Sequence, residues 1–256
     1  EVRVWVDANR PLIHVTVDSR QPLSATASIE LWRTVRTPMP TPVFSDIYNE
    51  CPNPPPTFID ADTVLSNQPD RIGWYHRNVR SVGPAMTMEF QDLAQAPYTD
   101  PLLHRTWGAV ITAEHGRRVD DLHLTSAAAG NHRFSIAVLT AQPATEEQWL
   151  KAVIAQSDSA NAIAFAQRRA EHEAWWTAFW ERSQILIRDR ADGSRKGVAS
   201  SAMEVARGYN LQRFITACAG RGAFPIKFNG SIFVMPTPDK PGDADYRRWG
   251  PGYWWQ

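Results

Sequence analysis

Aromatic and amide-bearing side chains near the end of the sequence are of the types that bind sugars. Lys227 and Asn229 offer an amine and an amide, and the residues after them include the aromatic residues Trp249, Tyr253, Trp254 and Trp255. Flat aromatic faces pack against the C–H side of a pyranose, while amines and amides hydrogen-bond to its hydroxyls. The pattern predicts a sugar-binding surface, and an aromatic core beside a loop would have the same composition.

Motifs for other reaction types are missing from the sequence. It contains no glycine-rich phosphate loop that opens a helix, no His-Glu-x-x-His run and no Gly-x-Ser-x-Gly nucleophile elbow. Asp239, Asp243 and Asp245 share an aromatic-rich loop, but loop aspartates mostly form turns. We therefore assign no catalytic residue, no metal ligand and no cofactor from the sequence.

Histidines and cysteines are predicted to be structural. The histidines never show metal-ligand spacing, and His76, His132 and His172 fall on predicted strands or a helix. Cys51 and Cys218 lie in different predicted domains, so we expect no disulfide between them. Cys218 is expected to be a buried, inert thiol on the apolar side of a helix.

Calcium is the one cation that the sequence leaves open. Loop carboxylates at Asp60, Asp62, Asp243 and Asp245 could ligate it, although their spacing is not that of an EF-hand.

Composition narrows the class of protein. The 256 residues carry 27 Lys and Arg against 27 Asp and Glu, so bulk charge does not favour nucleic acid or anionic lipid as a partner. Hydrophobic residues make up 43 %, enough for a sizeable core, and no apolar run reaches the ~18 residues that a membrane span needs. We predict neither a nucleic-acid partner nor a membrane partner.

Residues 1–142 have the pattern of an antiparallel β-sandwich. Val2, Val4 and Val6 alternate with more polar residues, as in a half-buried strand. Further strand-like runs are His14–Val17, Ala27–Arg33, Ile72–His76, Met86–Phe90, Gly108–Thr112, Leu122–Thr125 and His132–Thr140. Seven prolines between Thr37 and Thr57 predict a loop or an edge excursion, because proline cannot donate to a ladder.

Residues 143–184 change to a helical pattern. Thr145 and Gln148 predict a capping box, and a longer helix is expected from Ser159 to Arg182. One side of this longer helix is aromatic and is expected to be buried; it consists of Trp175, Trp176, Phe179 and Trp180.

Residues 185–256 begin with a predicted short strand, Ile185–Ile187, followed by a charged loop. Ser201 and Glu204 predict a second capping box at the start of a helix from Ala202 to Ala219, closed by glycine.

Several stretches resemble a known group of enzymes. Asp70–Asn78 and His104–Ala109 resemble the sandwich domain of glycoside hydrolases that join a β-super-sandwich to an (α/α)6 toroid. His172–Ser183 resembles their interdomain helix, and Gly222–Gly230 resembles the segment that lines their sugar pocket. The resemblance is to family 95, the α-L-fucosidases and α-L-galactosidases, and more closely to relatives described only as a domain of unknown function.

This resemblance implies a β-then-α, multi-domain chain. Its parts would be a super-sandwich (1–142), a helical linker (143–184) and the first elements of an incomplete toroid (185–256). It also implies an inverting hydrolase of plant or algal polysaccharide, secreted or periplasmic, with the catalytic acid and base beyond Gln256. The chain would then be an N-terminal fragment, inactive alone.

The resemblance further assigns a sugar subsite. It would be lined by Lys227, Asn229, Trp254, Trp255 and Gln256, with Trp249 and Tyr253 in support. Because Lys227 stands where the family has an asparagine, fucose is not assumed as the sugar.

Two alternatives remain open at this point. One is a non-catalytic carbohydrate-binding sandwich that uses the proline-rich loop with Trp32, Trp74 and Trp107. The other is a structural or interaction module whose aromatic residues are all core.

Overall fold

The computed structural model describes residues 1–38, 55–187 and 201–221. The chain forms two compact units. The first comprises Glu1–Pro40 and Asn53–Trp176, and the second comprises Thr41–Pro52 and Thr177–Gln256.

Strands dominate the first unit. They are β1 (Val2–Val6), β2 (Leu12–Ser28), β3 (Thr37–Pro38), β4 (Phe58–Ile59), β5 (Thr63–Val64), β6 (Ile72–Arg77), β7 (Thr106–Ala113), β8 (Gly116–Arg118) and β9 (His123–Ala141). Seven of them form one antiparallel sheet in the order β1-β2-β9-β7-β6-β5, with β8 paired to β9, while β3 and β4 pair separately. The predicted β-rich start of the chain is confirmed.

Four helices occur in the described residues. They are α1 (Gly83–Phe90), α2 (Glu146–Asn161), α3 (Phe165–Arg182) and α4 (Ser201–Ala219). Three of them follow the sheet along the chain, as the sequence predicts, while α1 lies between β6 and β7.

One face of the sheet packs against α2. Leu12, Ala137 and Val110 are opposite one another on adjacent strands, and all three have 0 % exposure. Trp149 and Val153, on the buried side of α2, join the same core cluster. At ~1.5–3 kcal/mol per buried large side chain, this contact is the main source of stability for α2.

The other face is covered in part by the sheet itself. β2 and β9 are long and change register between Asp18 and Ala25, so each combines two strand-like runs that the sequence shows separately. Leu124, from the far half of β9, shares a core cluster with Phe134 and Ile72. A bulge bends a strand, and here it lets both halves of the β2–β9 pair contribute to one core.

The capping box at the start of α2 is confirmed. The backbone amide of Gln148 donates to Thr145 Oγ1, and the backbone amide of Thr145 donates to Oε1 of the Gln148 side chain, both at 3.3 Å. Two amides that the helix cannot satisfy internally are thereby paired.

The strand predicted at Met86–Phe90 is wrong, because these residues belong to α1. Pro84 lies in the first turn, where the missing amide costs nothing, and Met86 is the buried residue of the helix. A short apolar run spaced at two residues also contains an i, i+4 pair, so periodicity alone does not separate the two structures.

The longer helix predicted from Ser159 to Arg182 is formed as α3 and ends at Arg182, but it begins six residues later than predicted. α2 ends at Asn161 and α3 begins at Phe165. The Asn161 side chain donates to Thr112 Oγ1 at 3.0 Å and accepts from Arg168 at 3.0 Å. This amide ties the break to the sheet and lets α3 start in a new direction.

The second unit contains the end of α3 and all of α4. Arg213 of α4 stacks on Phe179 at 4.6 Å and donates to the Phe179 carbonyl at 3.3 Å. The strand predicted at Ile185–Ile187 is not formed, and these residues are irregular and exposed. Cys218 is exposed, so its predicted burial is wrong, although the neighbouring structure raises the pKa of its thiol by desolvation.

The aromatic side of α3 is half-buried. This applies to Trp175, Trp176, Phe179 and Trp180, which form two edge-to-face pairs at 4.7 and 5.0 Å.

Candidate functional site

The residues predicted to bind sugar lie outside the described residues. These are Lys227, Asn229, Trp249, Tyr253, Trp254, Trp255 and Gln256. The loop aspartates Asp239, Asp243 and Asp245 and the thiol of Cys51 also lie outside the described residues. Their assignment stays a prediction.

Asp60 and Asp62, the described members of the calcium hypothesis, have other partners. Asp62 pairs with His76 Nδ1 at 2.8 Å and with Arg33 at 3.6 Å, and Asp60 pairs with Arg36 at 3.1 Å. Over residues 1–38, 55–187 and 201–221, no group of three His, Cys, Asp or Glu side chains could hold a metal ion. These two carboxylates are positioned for ion pairs.

The predicted structural role of two histidines is confirmed. His76 is bonded to Asp62, while His132 is buried with its ring nitrogens near Ser126 Oγ at 2.9 Å and the Ala129 carbonyl at 3.2 Å. Their ring nitrogens are thus engaged in local hydrogen bonds.

The stretch Asp70–Asn78, which resembles the hydrolase sandwich, attaches the sheet to α2. Arg71 donates to Asp158 of α2 at 3.0 Å, and Tyr75 donates to Glu146 of α2 at 3.1 Å. Hydrogen bonding to Asp70 is the largest cause that raises the pKa of Arg71, which therefore remains charged. These side chains hold both ends of α2 against one sheet.

Arg77 secures the entrance to the same helix. Its guanidinium donates to the carbonyls of Pro143 and Ala144 at 3.2 and 2.9 Å, just before the capping box. It also donates to Thr106 Oγ1 at 2.8 Å and to the His104 carbonyl at 3.3 Å. One nearly buried side chain thus joins β6, β7 and the start of the helical segment.

A solvent-open groove lies on the same sheet face as α2, where β1 meets α3. It has a volume of about 460 Å³ and lies entirely within the first unit. We call it the β1–α3 groove; its lining is Arg3, Trp5, Thr16, Asp18, Asn131, Arg133, Phe165, Arg169 and Glu173. Because side chains alternate along a strand, Arg3 and Trp5 reach this face while the valines of β1 point to the other.

Trp5 is the central ring of the groove. It contacts His14 at 4.2 Å and His172 at 4.7 Å, and the Arg169 guanidinium lies 5.3 Å from its centre. Its indole Nε1 is buried and has no acceptor among the described residues. An unsatisfied buried donor costs about 1–3 kcal/mol.

The walls of the groove alternate in charge. Arg3 lies 3.6 Å from Asp18, and Asn131 donates to the same carboxylate at 2.5 Å. On the helix side Arg169 pairs with Glu173 at 2.5 Å. Donors and acceptors are therefore presented together.

Behind Trp5 lies a buried polar layer. His14 has 0 % exposure, and its Nε2 is 3.7 Å from Asp7 Oδ2, longer than a hydrogen bond. Burial, followed by the nearby Arg168 charge, lowers the pKa of His14 to about 4, so its imidazole is neutral at pH 7. Burial likewise lowers the pKa of Arg168 and of His172.

His172 and Glu171 fasten α3 to the turn after β1. His172 Nδ1 accepts from the Ala8 amide at 3.2 Å, and Arg10 forms a short ion pair with Glu171. The resembling stretch that begins at His172 thus starts with a contact to the sheet. These contacts make the floor of the groove rigid.

No local sequence motif predicts the groove. Its residues come from both ends of the first unit, from Arg3 to Glu173, and sequence reasoning missed all of them. The alternation of β1 places Arg3 and Trp5 on one face, but only the docking of α3 identifies what that face meets. Of the tryptophans in the carbohydrate-binding alternative, Trp32 is 89 % exposed, while Trp74 and Trp107 are half-buried.

Comparison with known families gives one match. The family described as Domain of unknown function (DUF5703) matches residues 1–185, which cover the sheet and the helices through α3. No curated protein matches the chain. Among the helices in the described part of the chain, none is both long enough and apolar enough to cross a bilayer.

Proposed function

The chain belongs to the family described as Domain of unknown function (DUF5703), and we propose that the matched region is a non-catalytic N-terminal domain of a glycoside hydrolase. Its role is to hold the helical segment that leads toward the catalytic part. In this proposal the curved sheet is the super-sandwich, and the helices after it begin an (α/α)6 toroid.

The observation that carries the positioning role is the set of contacts made by Arg77. A buried guanidinium that donates to two consecutive carbonyls, at Pro143 and Ala144, fixes where the chain leaves the sheet and enters α2. Arg71 and Tyr75 add side-chain contacts to Asp158 and Glu146, toward the two ends of that helix. A domain that positions the next part of the chain needs a fixed point at which the chain leaves the sheet.

The hydrolase part of the proposal rests on the sequence resemblance. Glycoside hydrolysis needs two positioned carboxyl groups across the scissile bond. Two carboxylates of the first unit are engaged by neighbouring side chains: Asp62 by His76, and Asp158 by Arg71. The proposal therefore places catalysis outside the described residues.

Two proteins test this proposal together. The complete gene product and the 256-residue chain are assayed on a panel of aryl α- and β-glycosides. We expect hydrolysis of one sugar by the complete product and none by the 256-residue chain. Hydrolysis by the short chain would refute the non-catalytic assignment, and a folded complete product that cleaves no member of the panel would refute the hydrolase assignment.

A further inference from the structure

We propose that the β1–α3 groove binds a neutral saccharide. This inference goes beyond the proposed function, because it gives the non-catalytic domain a ligand site of its own. It stands on the shape and the chemistry of the groove.

Size and shape are those of a ligand site. The volume of about 460 Å³ falls within the ~300–1,000 Å³ that small-molecule pockets occupy. The floor is held by Trp5 stacked on His14 and by the Ala8 amide bonded to His172. A ligand would therefore meet a preformed surface, which lowers the entropic cost of binding.

The polar groups match hydroxyls, which donate and accept at once. Asp18 and Glu173 are acceptors, and Arg3, Asn131 and Arg169 are donors on the same groove. Arg133 is a further donor of the lining. Each arginine lies against a carboxylate: Arg3 against Asp18, Arg169 against Glu173 and Arg133 against Glu114.

The same pairing argues against an anion. A carboxylate or sulfate drawn to one of the three arginines would also meet the carboxylate paired with it, which is Asp18 for Arg3, Glu173 for Arg169 and Glu114 for Arg133. Like-charge contacts of this kind select against the wrong ligand class. A neutral polyhydroxylated ring gains from both members of each pair.

Trp5 supplies the second, independent observation. Its ring lines the groove. Flat aromatic faces pack against the C–H side of a sugar ring. Trp5 is therefore the residue whose signal should report binding.

The test is a titration followed by two-dimensional ¹H–¹⁵N NMR of the tryptophan indoles in the 256-residue chain. The probes are the methyl glycosides of glucose, galactose, xylose and fucose, with glucuronate and inorganic sulfate as anionic comparators. The Trp5 signal is assigned by its loss in Trp5→Phe. We expect at least one neutral glycoside to shift it in a saturable manner.

Matched variants locate the site. Asp18→Asn should weaken binding about tenfold, because a hydrogen bond to a charged acceptor is lost. Asp60→Asn is the control: it changes an equally exposed aspartate that pairs with an arginine away from the groove. Since Asp18 and Asp60 have side-chain exposures of 39 % and 36 %, both variants should fold.

Each result decides the matter. A Trp5 shift that is weakened by Asp18→Asn and kept by Asp60→Asn supports the proposal. Shifts from glucuronate and sulfate alone, shifts that spare Trp5, or no shift with any probe at millimolar concentrations would overturn it. The titration uses the 256-residue chain and measures no hydrolysis, so its failure is distinguishable from failure of the proposed function.

Discussion

Replacing Arg77 tests whether the exit from the sheet is fixed as the structure indicates. The side chain is 9 % exposed and donates to the Pro143 and Ala144 carbonyls ahead of α2. Arg77→Met keeps the apolar stem and removes the guanidinium. The carbonyls before the helix, and that of His104, then lose a charged donor.

The magnitude follows from the two shortest bonds. Arg77 donates to Thr106 Oγ1 at 2.8 Å and to the Ala144 carbonyl at 2.9 Å, and bonds to charged groups contribute ~1.5–3 kcal/mol each. The substitution also removes the cost of burying the guanidinium charge, and this offsets part of the loss. We expect the free energy of unfolding to fall by about 3 kcal/mol, or about 6–12 °C in Tm.

Urea and thermal unfolding, followed by far-ultraviolet circular dichroism, measure the change. Arg105→Ala is the matched control, because Arg105 also donates to a carbonyl, that of Pro101 at 2.9 Å, from a more exposed position. Its loss should cost less than about 1 kcal/mol. If Arg77→Met and Arg105→Ala are equally stable, Arg77 does not fix the exit and the positioning role loses its main support.

Three further changes probe the core, the sheet and the buried histidine. Trp149→Ala should cost about 3–5 kcal/mol in urea unfolding, because the side chain has 0 % exposure and its Nε1 donates to Leu139; a loss no larger than that of Trp149→Phe would contradict this. Gly108→Ala should prevent soluble expression, since its Cβ would lie 2.1 Å from the Trp74 carbonyl oxygen, whereas Gly83→Ala meets nothing within 4 Å and should be tolerated. Because the folded pKa of His14 is about 4, below the ordinary 6.5, stability present above pH 6.5 should fall by about 3 kcal/mol as the pH drops toward 4. Urea midpoints measured against pH should show this fall in the parent and a flatter profile in His14→Gln.

Features that depend only on the geometry of neighbouring backbone residues could be predicted from the sequence. The capping box at Thr145 and Gln148 needs only side chains three residues apart, and the structure forms it. The buried side of α2, at Trp149 and Val153, follows from helical spacing. The alternation of β1 has the same origin, because successive side chains of a strand point to opposite faces.

Short segments without a long period were misjudged. Met86–Phe90 is helical because Pro84 opens a helical turn and Met86 finds a buried position. The thiol of Cys218 was predicted to be buried but is exposed. A position on the apolar side of a helix is buried only if another element packs against it. Burial is a property of the assembled structure.

The sequence by itself determined a β-rich region followed by helices and the start of α2. Only the tertiary structure decided that Arg3 and Trp5 meet Arg169 and Glu173 in one groove. The physical reason is that periodicity orients side chains relative to their own backbone, over a few residues. Which faces meet depends on strand register, on the break after Asn161 and on the docking of α3, and these are fixed by contacts between residues far apart in the chain.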